Sequence, residues 1–364
     1  MKTQHQVSLI ALAILVVIVG CKNASTQKSA NERKNLVQAT KKSSVLPDDL
    51  PEVRKIETFK YTKFVLTGAD SLSTTLNTIY SPTFLAAWNE LTKAIGTTDG
   101  ADPLLHKLDV EGANQAVVNA TSSNLFVKTI KIERLKIKMQ VKLTAAFSFA
   151  YPMDTNIEKF TFNKVSVKAF GMPRYREPIA DEIQILYYKN DSKFIIQLIP
   201  KDGTQNVILA MGFNNINGFG KLVDEVQASI IAGSKEMNTH KNRLKYNLLD
   251  EDIVLIPKLS FNIKCDSLPV SGKMGQFKNG KFFIEKASQQ IGCILNERGA
   301  KVESTADIAV AAAAAVTLSP TEEKPHPKHF VFDKPFFVMF REDGQVHPYF
   351  AISIQNAELM QKAD

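Results

Sequence analysis

The chain has 364 residues, enough for a large core, and a formal net charge of +8 from 45 Lys and Arg against 37 Asp and Glu. Six of the basic residues lie in the polar stretch 22–43 beside a single acid, so the rest of the chain carries little net charge. This distribution argues against nucleic-acid binding, which needs basic residues on the folded surface, and favours a basic stem beside anionic lipid headgroups.

The first residues are predicted to be a processing signal. Lys2 is followed by the apolar run 7–19, which has the length of a signal-peptide core and is too short for a stable transmembrane helix. The run ends in Ile18-Val19-Gly20-Cys21, which resembles the bacterial lipobox. The resemblance implies that the Cys21 thiol is acylated and that the chain is cleaved before it. An ordinary signal peptide with a chance cysteine is the alternative.

These features predict three segments. Residues 1–20 form the signal peptide, residues 21–51 the lipid anchor and flexible basic tether, and residues 52–364 the folded domain. The tether is too poor in apolar residues to bury the surface that folding requires. We expect a monomer anchored by lipid to the bacterial cell envelope, on the outer membrane or cell surface and facing outside the cytoplasm.

Hydrophobic periodicity predicts a few helices among many strands. Residues 76–95 are predicted to be a turn followed by a helix, with Ser81 as the N-cap and Pro82 in the first turn. Residues 129–143 alternate, and a change of phase at Glu133-Arg134 predicts a bulge or break. A second helix is predicted over 222–231. Further strands are predicted at 160–162, 165–167, 183–188, 194–199, 253–263 and 336–340. Long strands with few helices indicate an α+β fold with large, mostly antiparallel sheets.

Residues with catalytic or metal-binding chemistry form no constellation in the sequence. His326 and His329 lie in a loop rich in Pro and Lys, without a neighbouring cysteine or carboxylate cluster. No phosphate-binding glycine loop and no Gly-x-Ser-x-Gly motif occurs. We therefore expect no enzyme activity, no metal and no cofactor. Cys265 and Cys293 could pair in an exported protein, but two buried, unpaired thiols are favoured.

Six segments, in their order along the chain, resemble the serpin family of protease inhibitors. They are similar to a Ser-Pro entry into a helix, paired strands that end in a Pro-Lys turn, a strand built around Leu, Pro, Lys and Phe, a helix with a Gly-containing turn, an Asn-Glu-x-Gly hinge, and two C-terminal strands. The segments are 77–82, 186–201, 254–261, 273–277, 296–300 and 331–350. The resemblance implies a serpin-like α+β fold with flanking helices and an exposed reactive loop near the C-terminus.

The sequence also departs from the family. Only about sixty positions separate Pro82 from Leu143, so several helices and a strand that flank the family's main sheet are expected to be missing or reduced. The strand at 142–151 lacks the usual tryptophan. The stretch between the hinge and Pro335 is longer than usual, so the bait bond cannot be placed by counting.

The resemblance predicts a specific pattern of side chains in the hinge. In a serpin the target protease cleaves the exposed loop, and the freed end inserts into the main sheet as a new strand that deforms the acylated enzyme. Such a loop must alternate small or apolar side chains with polar ones and must lack proline. The hinge begins with Glu297 and Gly299. Its predicted core face consists of Ala300, Val302, Ser304, Ala306, Ile308 and Val310. The opposite face consists of Lys301, Glu303, Thr305 and Asp307.

The same alternation fits a permanent strand, so two functions stay open. One is a suicide-substrate inhibitor, and the other is a non-inhibitory serpin-like binding or scaffold lipoprotein. The expected target is a serine protease of elastase-like or subtilisin-like specificity, or a cysteine protease, because the bait offers small and apolar side chains and no basic one. A flexible spacer is the alternative for the alanines. The bait bond is predicted within Ala311, Ala312, Ala313, Ala314, Ala315, Val316, Thr317, Leu318 and Ser319.

Overall fold

The computed structural model describes residues 46–47, 49–133, 136–214, 216–238, 244–305 and 326–363. These residues belong to the unit Lys42–Asp364, in which two large β-sheets stack face to face and helices cover the far side of one of them. In this part of the chain, no helix has both the length and the apolarity needed to cross a bilayer.

The main sheet has six strands. In spatial order they are β1 (Arg54–Lys55), β13 (Leu259–Cys265), β16 (Gln289–Asn296), β17 (Gly299–Ser304), β5 (Lys136–Ser148) and β4 (Phe126–Glu133). All neighbours are antiparallel except β1 and β13, which are parallel. One face of this sheet packs on the second sheet, as Phe147 does on Phe340 with ring centroids 6.4 Å apart.

The second sheet has seven strands. In spatial order they are β2 (Thr62–Val65), β3 (Asn77–Tyr80), β20 (Phe350–Ile354), β19 (Phe336–Glu342), β11 (Gln205–Met211), β10 (Lys193–Leu198) and β9 (Ile183–Asn190), and only β2 and β3 are parallel. Every residue of β11 is buried, because alternate side chains face the main sheet or the helices. A strand covered on both faces is expected to lack alternation, and β11 has a continuous apolar run.

Five helices and three small sheets complete the described fold. The helices are α1 (Thr83–Ile95), α2 (Pro103–Gly112), α3 (Gln115–Ala120), α4 (Glu177–Ala180) and α5 (Phe219–Met237). Apolar side chains of α1, α2 and α5 form one cluster with the far face of the second sheet. The small sheets are β18 (His329–Val331) with β12 (Ile253–Pro257) and β8 (Ala169–Met172), the hairpin of β14 (Met274–Phe277) and β15 (Gly280–Phe283), and the hairpin of β6 (Thr161–Phe162) and β7 (Val165–Ser166).

The predicted α+β class is confirmed, and so are all the strands predicted from alternation. The break predicted at Glu133-Arg134 falls between β4 and β5, which pair antiparallel with Glu133 opposite Lys136. The run 253–263 forms two strands in different sheets, β12 and β13. The helix predicted over 222–231 is the central part of α5.

Three local predictions were wrong. Residues 77–80 form the buried strand β3 rather than a turn, because they pair with β2 on one side and β20 on the other. The N-cap position of α1 is Pro82 and not Ser81. Residues 274–277 form the strand β14 rather than a helix and turn, since they pair with β15 across a short hairpin.

Candidate functional site

The hinge strand β17 already lies inside the main sheet of the continuous chain. It is hydrogen-bonded on one side to β16 and on the other to β5 over all six of its residues. Ala300, Val302 and Ser304 are buried against the core, at 0%, 1% and 1% exposure, whereas Lys301 and Glu303 point to the opposite, half-buried face. The predicted alternation is confirmed for these positions.

Gly299 makes the entry to β17 possible. Its φ is +147°, which side-chain-bearing residues rarely adopt. A Cβ at this position would lie 2.1 Å from the carbonyl oxygen of Phe147 on β5. The backbone of β17 can therefore approach β5 only because the hinge has glycine here.

The turn before Gly299 is held by backbone and ionic contacts. Glu297 Oε2 lies 2.6 Å from Lys258 Nζ, and both side chains are mostly buried, although the pair lacks hydrogen-bond geometry. The carbonyls of Glu297 and Arg298 accept hydrogen bonds from the amides of Met153 and Phe149, at 2.9 and 2.8 Å. The predicted hinge residue Glu297 thus ties Lys258, between β12 and β13, and the segment after β5 to the start of β17.

A buried polar cluster lies at the other end of β17, and sequence analysis did not identify it. The hydroxyls of Ser304 and Thr83 are 2.9 Å apart, and Gln289 Nε2 donates to Thr83 Oγ1 at 2.9 Å. Ser81 Oγ lies 3.2 Å from Thr83 Oγ1, and Gln289 Nε2 also reaches the Ser81 carbonyl. Because Thr83 and Ser304 are 221 positions apart, no local pattern could reveal this contact. The start of α1 therefore holds the last residue of the inserted strand.

The described chain resumes at His326, and a buried ion pair lies just before β18. Lys328 Nζ lies 2.7 Å from Asp252 Oδ2, and the side chains are 2% and 0% exposed. Asp252 also accepts hydrogen bonds from the amides of Lys328 and Leu249, at 2.6 and 3.0 Å. The pair fixes the beginning of β18 beside β12.

Glu182 is a buried carboxyl close to the hinge turn. Its Oε1 accepts a hydrogen bond from the Tyr151 amide at 2.6 Å, whereas its Oε2 has no hydrogen-bond partner in the described structure. Burial raises the pKa of Glu182 to about 7 against the opposing effect of the backbone hydrogen bonds. Since Tyr151 lies between the two residues that bond the hinge turn, the charge of Glu182 acts on the segment that braces β17.

The remaining chemistry-bearing residues form no catalytic cluster in the described part of the chain. No three His, Cys, Asp or Glu side chains there could hold a metal ion. Cys293 is buried, Cys265 is partly exposed, and both are free thiols. Burial raises the pKa of Cys293 well above its usual range, so its thiol stays protonated. A cavity of about 440 Å³ beside α5 is lined by apolar residues, including Leu72 and Met211, and by polar residues, including Asn214 and Lys334.

Several predicted site residues lie outside the described residues. They are the lipidation site Cys21, the hinge positions Ala306, Ile308 and Val310, and the reactive-loop residues 311–319. Their roles stay predictions.

No protein-family model and no curated protein matches this chain. Solved structures with similar folds include a cleaved serpin 42Da (TM-score 0.40, 9% identity, covering 81% of this chain and 92% of that one). A serpin from the trematode Schistosoma haematobium gives a TM-score of 0.44 at 10% identity, with 77% and 94% covered. A tumour suppressing serpin gives 0.38 at 12% identity, with 77% and 92% covered. Each of these is a serpin. The serpin family is also the one that the sequence motifs resemble.

Proposed function

We propose that this chain is a lipid-anchored protease inhibitor of the bacterial cell envelope that acts as a suicide substrate through insertion of its reactive loop. The observation that carries the proposal is that β17 begins at the hinge, runs between β16 and β5, and stops where seven residues of β5 still have no described partner on that side. The loop therefore starts inside the sheet that it would have to enter.

The strand β5 extends beyond its pairing with β17, and we call this extension the slot. Of the 13 residues of β5, Leu143 to Ser148 pair with β17, whereas the seven residues from Lys136 to Lys142 have β4 as their described partner on one side only. Continuing the register of β17 would set Ala306 opposite Val141 and Ile308 opposite Met139. Seven further residues paired with β5, of which only the first two would also lie opposite β16, would contribute roughly 1 kcal/mol per hydrogen bond, enough to drive a rearrangement.

Cleavage would release this stored free energy. A protease serine oxygen would form an ester with the carbonyl of the bait residue as the C–N bond breaks, and the new amine would leave with the transferred proton. The small and apolar residues 311–319 fit the shallow apolar pocket of an elastase-like enzyme. The freed strand would then fill the slot before water hydrolyses the ester, which leaves the protease bound and distorted.

The proposal includes a lipid anchor at Cys21. The Cys21 motif and the basic stretch 22–43 support attachment to a membrane surface, and acyl chains would hold the chain there because each buried methylene adds about 0.8 kcal/mol. A monomer would meet secreted proteases at that surface and would be consumed once per event.

A non-inhibitory serpin-like binding protein is the second candidate. The contacts of β17 favour it, because six hinge residues are already paired on both sides and Ser304 is bonded to Thr83. If the strand is permanent, cleavage releases little further free energy and the loop is an ordinary substrate.

Mixing the folded part (residues 44–364) with elastase-like and subtilisin-like proteases separates the two candidates. The inhibitor is expected to form an adduct that resists denaturant and, after cleavage within 311–319, to melt at least about 10 °C higher. Cleavage without an adduct and with an unchanged melting temperature would favour the second candidate, the non-inhibitory binding protein.

A matched pair of variants tests whether insertion follows the predicted register. Ile308→Arg would place a charge on the core face of the inserted strand, so it is expected to convert the inhibitor into a substrate. Asp307→Arg would place the same charge on the outer face and is expected to keep adduct formation. Equal behaviour of the two variants would contradict the predicted register.

A further inference from the structure

The segment at the N-terminal end of the folded unit crosses the outer face of the main sheet. We call residues 49–55 the strap. Asp49 Oδ1 lies 3.0 Å from Lys301 Nζ on β17, and Lys301 Nζ also lies 3.5 Å from Glu303. The Lys301 side chain is 19% exposed although it points away from the core. The strap therefore contacts the hinge strand on the face that the core does not cover.

Two further contacts join the strap to the neighbouring strands. A Cβ added to Gly292 of β16 would lie 2.5 Å from Leu50 Cδ1, so the Leu50 side chain occupies the space that a larger residue at 292 would fill. Asn262 Nδ2 of β13 donates a hydrogen bond to the Pro51 carbonyl at 3.0 Å. The strap then ends in β1, which pairs with β13. In seven residues it crosses β17, β16 and β13.

The contribution of these contacts is unequal. Asp49 is 99% exposed, and an ion pair with such a partner stabilises by at most about 1 kcal/mol. Leu50 covers backbone that would otherwise face water, and the ladder of β1 fixes the far end of the strap. The contacts act together because they lie on one short segment, so the strap can be held or released as a unit.

We propose that the strap is a latch that holds β17 in the main sheet, so that release of the strap increases the population in which the hinge strand is out of the sheet. Because residues 21–48 lead directly into the strap, an event at the tether could reach the hinge through seven residues. The proposal shares β17 with the proposed inhibitor function but does not require that any protease be inhibited.

Amide hydrogen exchange of the full chain tests the latch. The double variant Asp49→Asn/Leu50→Asn removes the two side-chain contacts of the strap with β17 and β16. The matched control Glu52→Gln/Val53→Asn removes the same charge and a similar apolar side chain from exposed positions of the same segment. We expect exchange of residues 300–304 to be at least about tenfold faster in the first variant and unchanged in the second.

The strand β11, which is buried on both faces, serves as the internal reference. Faster exchange of β17 with unchanged exchange of β11 supports the latch. Equal acceleration of both strands would mean that the strap affects only global stability, and no acceleration in the first variant would mean that β17 is held without it. Either result overturns the proposal.

A second variant removes the charge on β17 that pairs with Asp49 of the strap. Lys301→Gln is expected to give a smaller acceleration in β17 because Leu50 stays in place, and no acceleration would count against the ion pair as part of the latch. The test of the proposed inhibitor function is independent of the test of the latch. Faster exchange in β17 without any protease adduct would support the latch and reject the inhibitor. An adduct with unchanged exchange in β17 would reject the latch and support the inhibitor.

Discussion

The strands on either side of positions 306–325 are held by different chemistry. On the N-terminal side, β17 ends in neutral hydrogen bonds among Ser304, Thr83 and Gln289, and its outer face carries half-buried polar side chains. On the C-terminal side, β18 begins at the fully buried ion pair of Lys328 and Asp252.

The difference between these two polar sites indicates which flanking strand is more easily withdrawn. Withdrawing Ser304 from its cluster exposes neutral groups, whereas separating Lys328 from Asp252 leaves a buried charge without its partner. We infer that β18 is the fixed end and β17 the exchangeable one. Four substitutions test this contrast.

The largest effect is expected from Asp252→Asn at the fixed end. The amide keeps the size of the side chain but leaves the buried Lys328 charge unpaired, so the free energy of unfolding should fall by about 3–5 kcal/mol. Denaturant titration measures it. The exposed neighbour Glu251→Gln is the control and should change it by less than about 0.5 kcal/mol. A loss below about 1 kcal/mol for Asp252→Asn would remove the contrast between the two ends.

Gly299→Ala is expected to rank second. The added Cβ meets the Phe147 carbonyl and the residue keeps a strained φ, so the substitution should cost about 2 kcal/mol. If β17 is exchangeable, the loss should be seen as faster amide exchange confined to β17. Gly344→Ala has a positive φ but open space around it, and it separates the effect of φ from that of the close approach. Global unfolding instead of local release would show that β17 is permanent.

Thr83→Val should have a smaller effect. It removes the hydroxyl shared by Ser304 and Gln289 and is expected to destabilise by about 1–2 kcal/mol, measured as a lower midpoint of chemical unfolding. Thr92→Val on the same helix is the control, because the Thr92 hydroxyl bonds only to the Asn89 carbonyl in its own helix. Equal losses in the two variants would mean that the cluster does not hold β17.

The smallest effect is a dependence on pH. The pKa of Glu182 is about 7 in the folded state and 4.5 in the unfolded chain, because burial favours the neutral acid. Its contribution to stability is therefore complete below about pH 4.5 and is lost as the pH rises through 7. Glu182→Gln should remove about 1 kcal/mol of this dependence between pH 5 and 8, after discounting for solvent screening. Parallel stability curves for the two proteins would exclude Glu182 as the source.

Local patterns predicted the strands well where one face is polar. The alternation of β5 and β17 follows from the pleat, which sends successive side chains to opposite faces. The same reasoning missed β11 and β16, whose apolar residues do not alternate because both faces of β11 are covered and β16 is buried over most of its length. It also mistook β3 for a turn, since the polar residues Asn77 and Thr78 are buried there by pairing with distant strands.

By itself, the sequence determined that the segment from Gly299 to Ser304 could form a strand with one apolar face, because side-chain alternation and the absence of proline are local properties. Only the tertiary structure decided that this strand lies between β16 and β5, that Thr83 meets Ser304, and that residues 49–51 cross the outer face of the main sheet. Those partners lie far apart along the chain, and their pairing is selected by the packing of two whole sheets rather than by any local pattern.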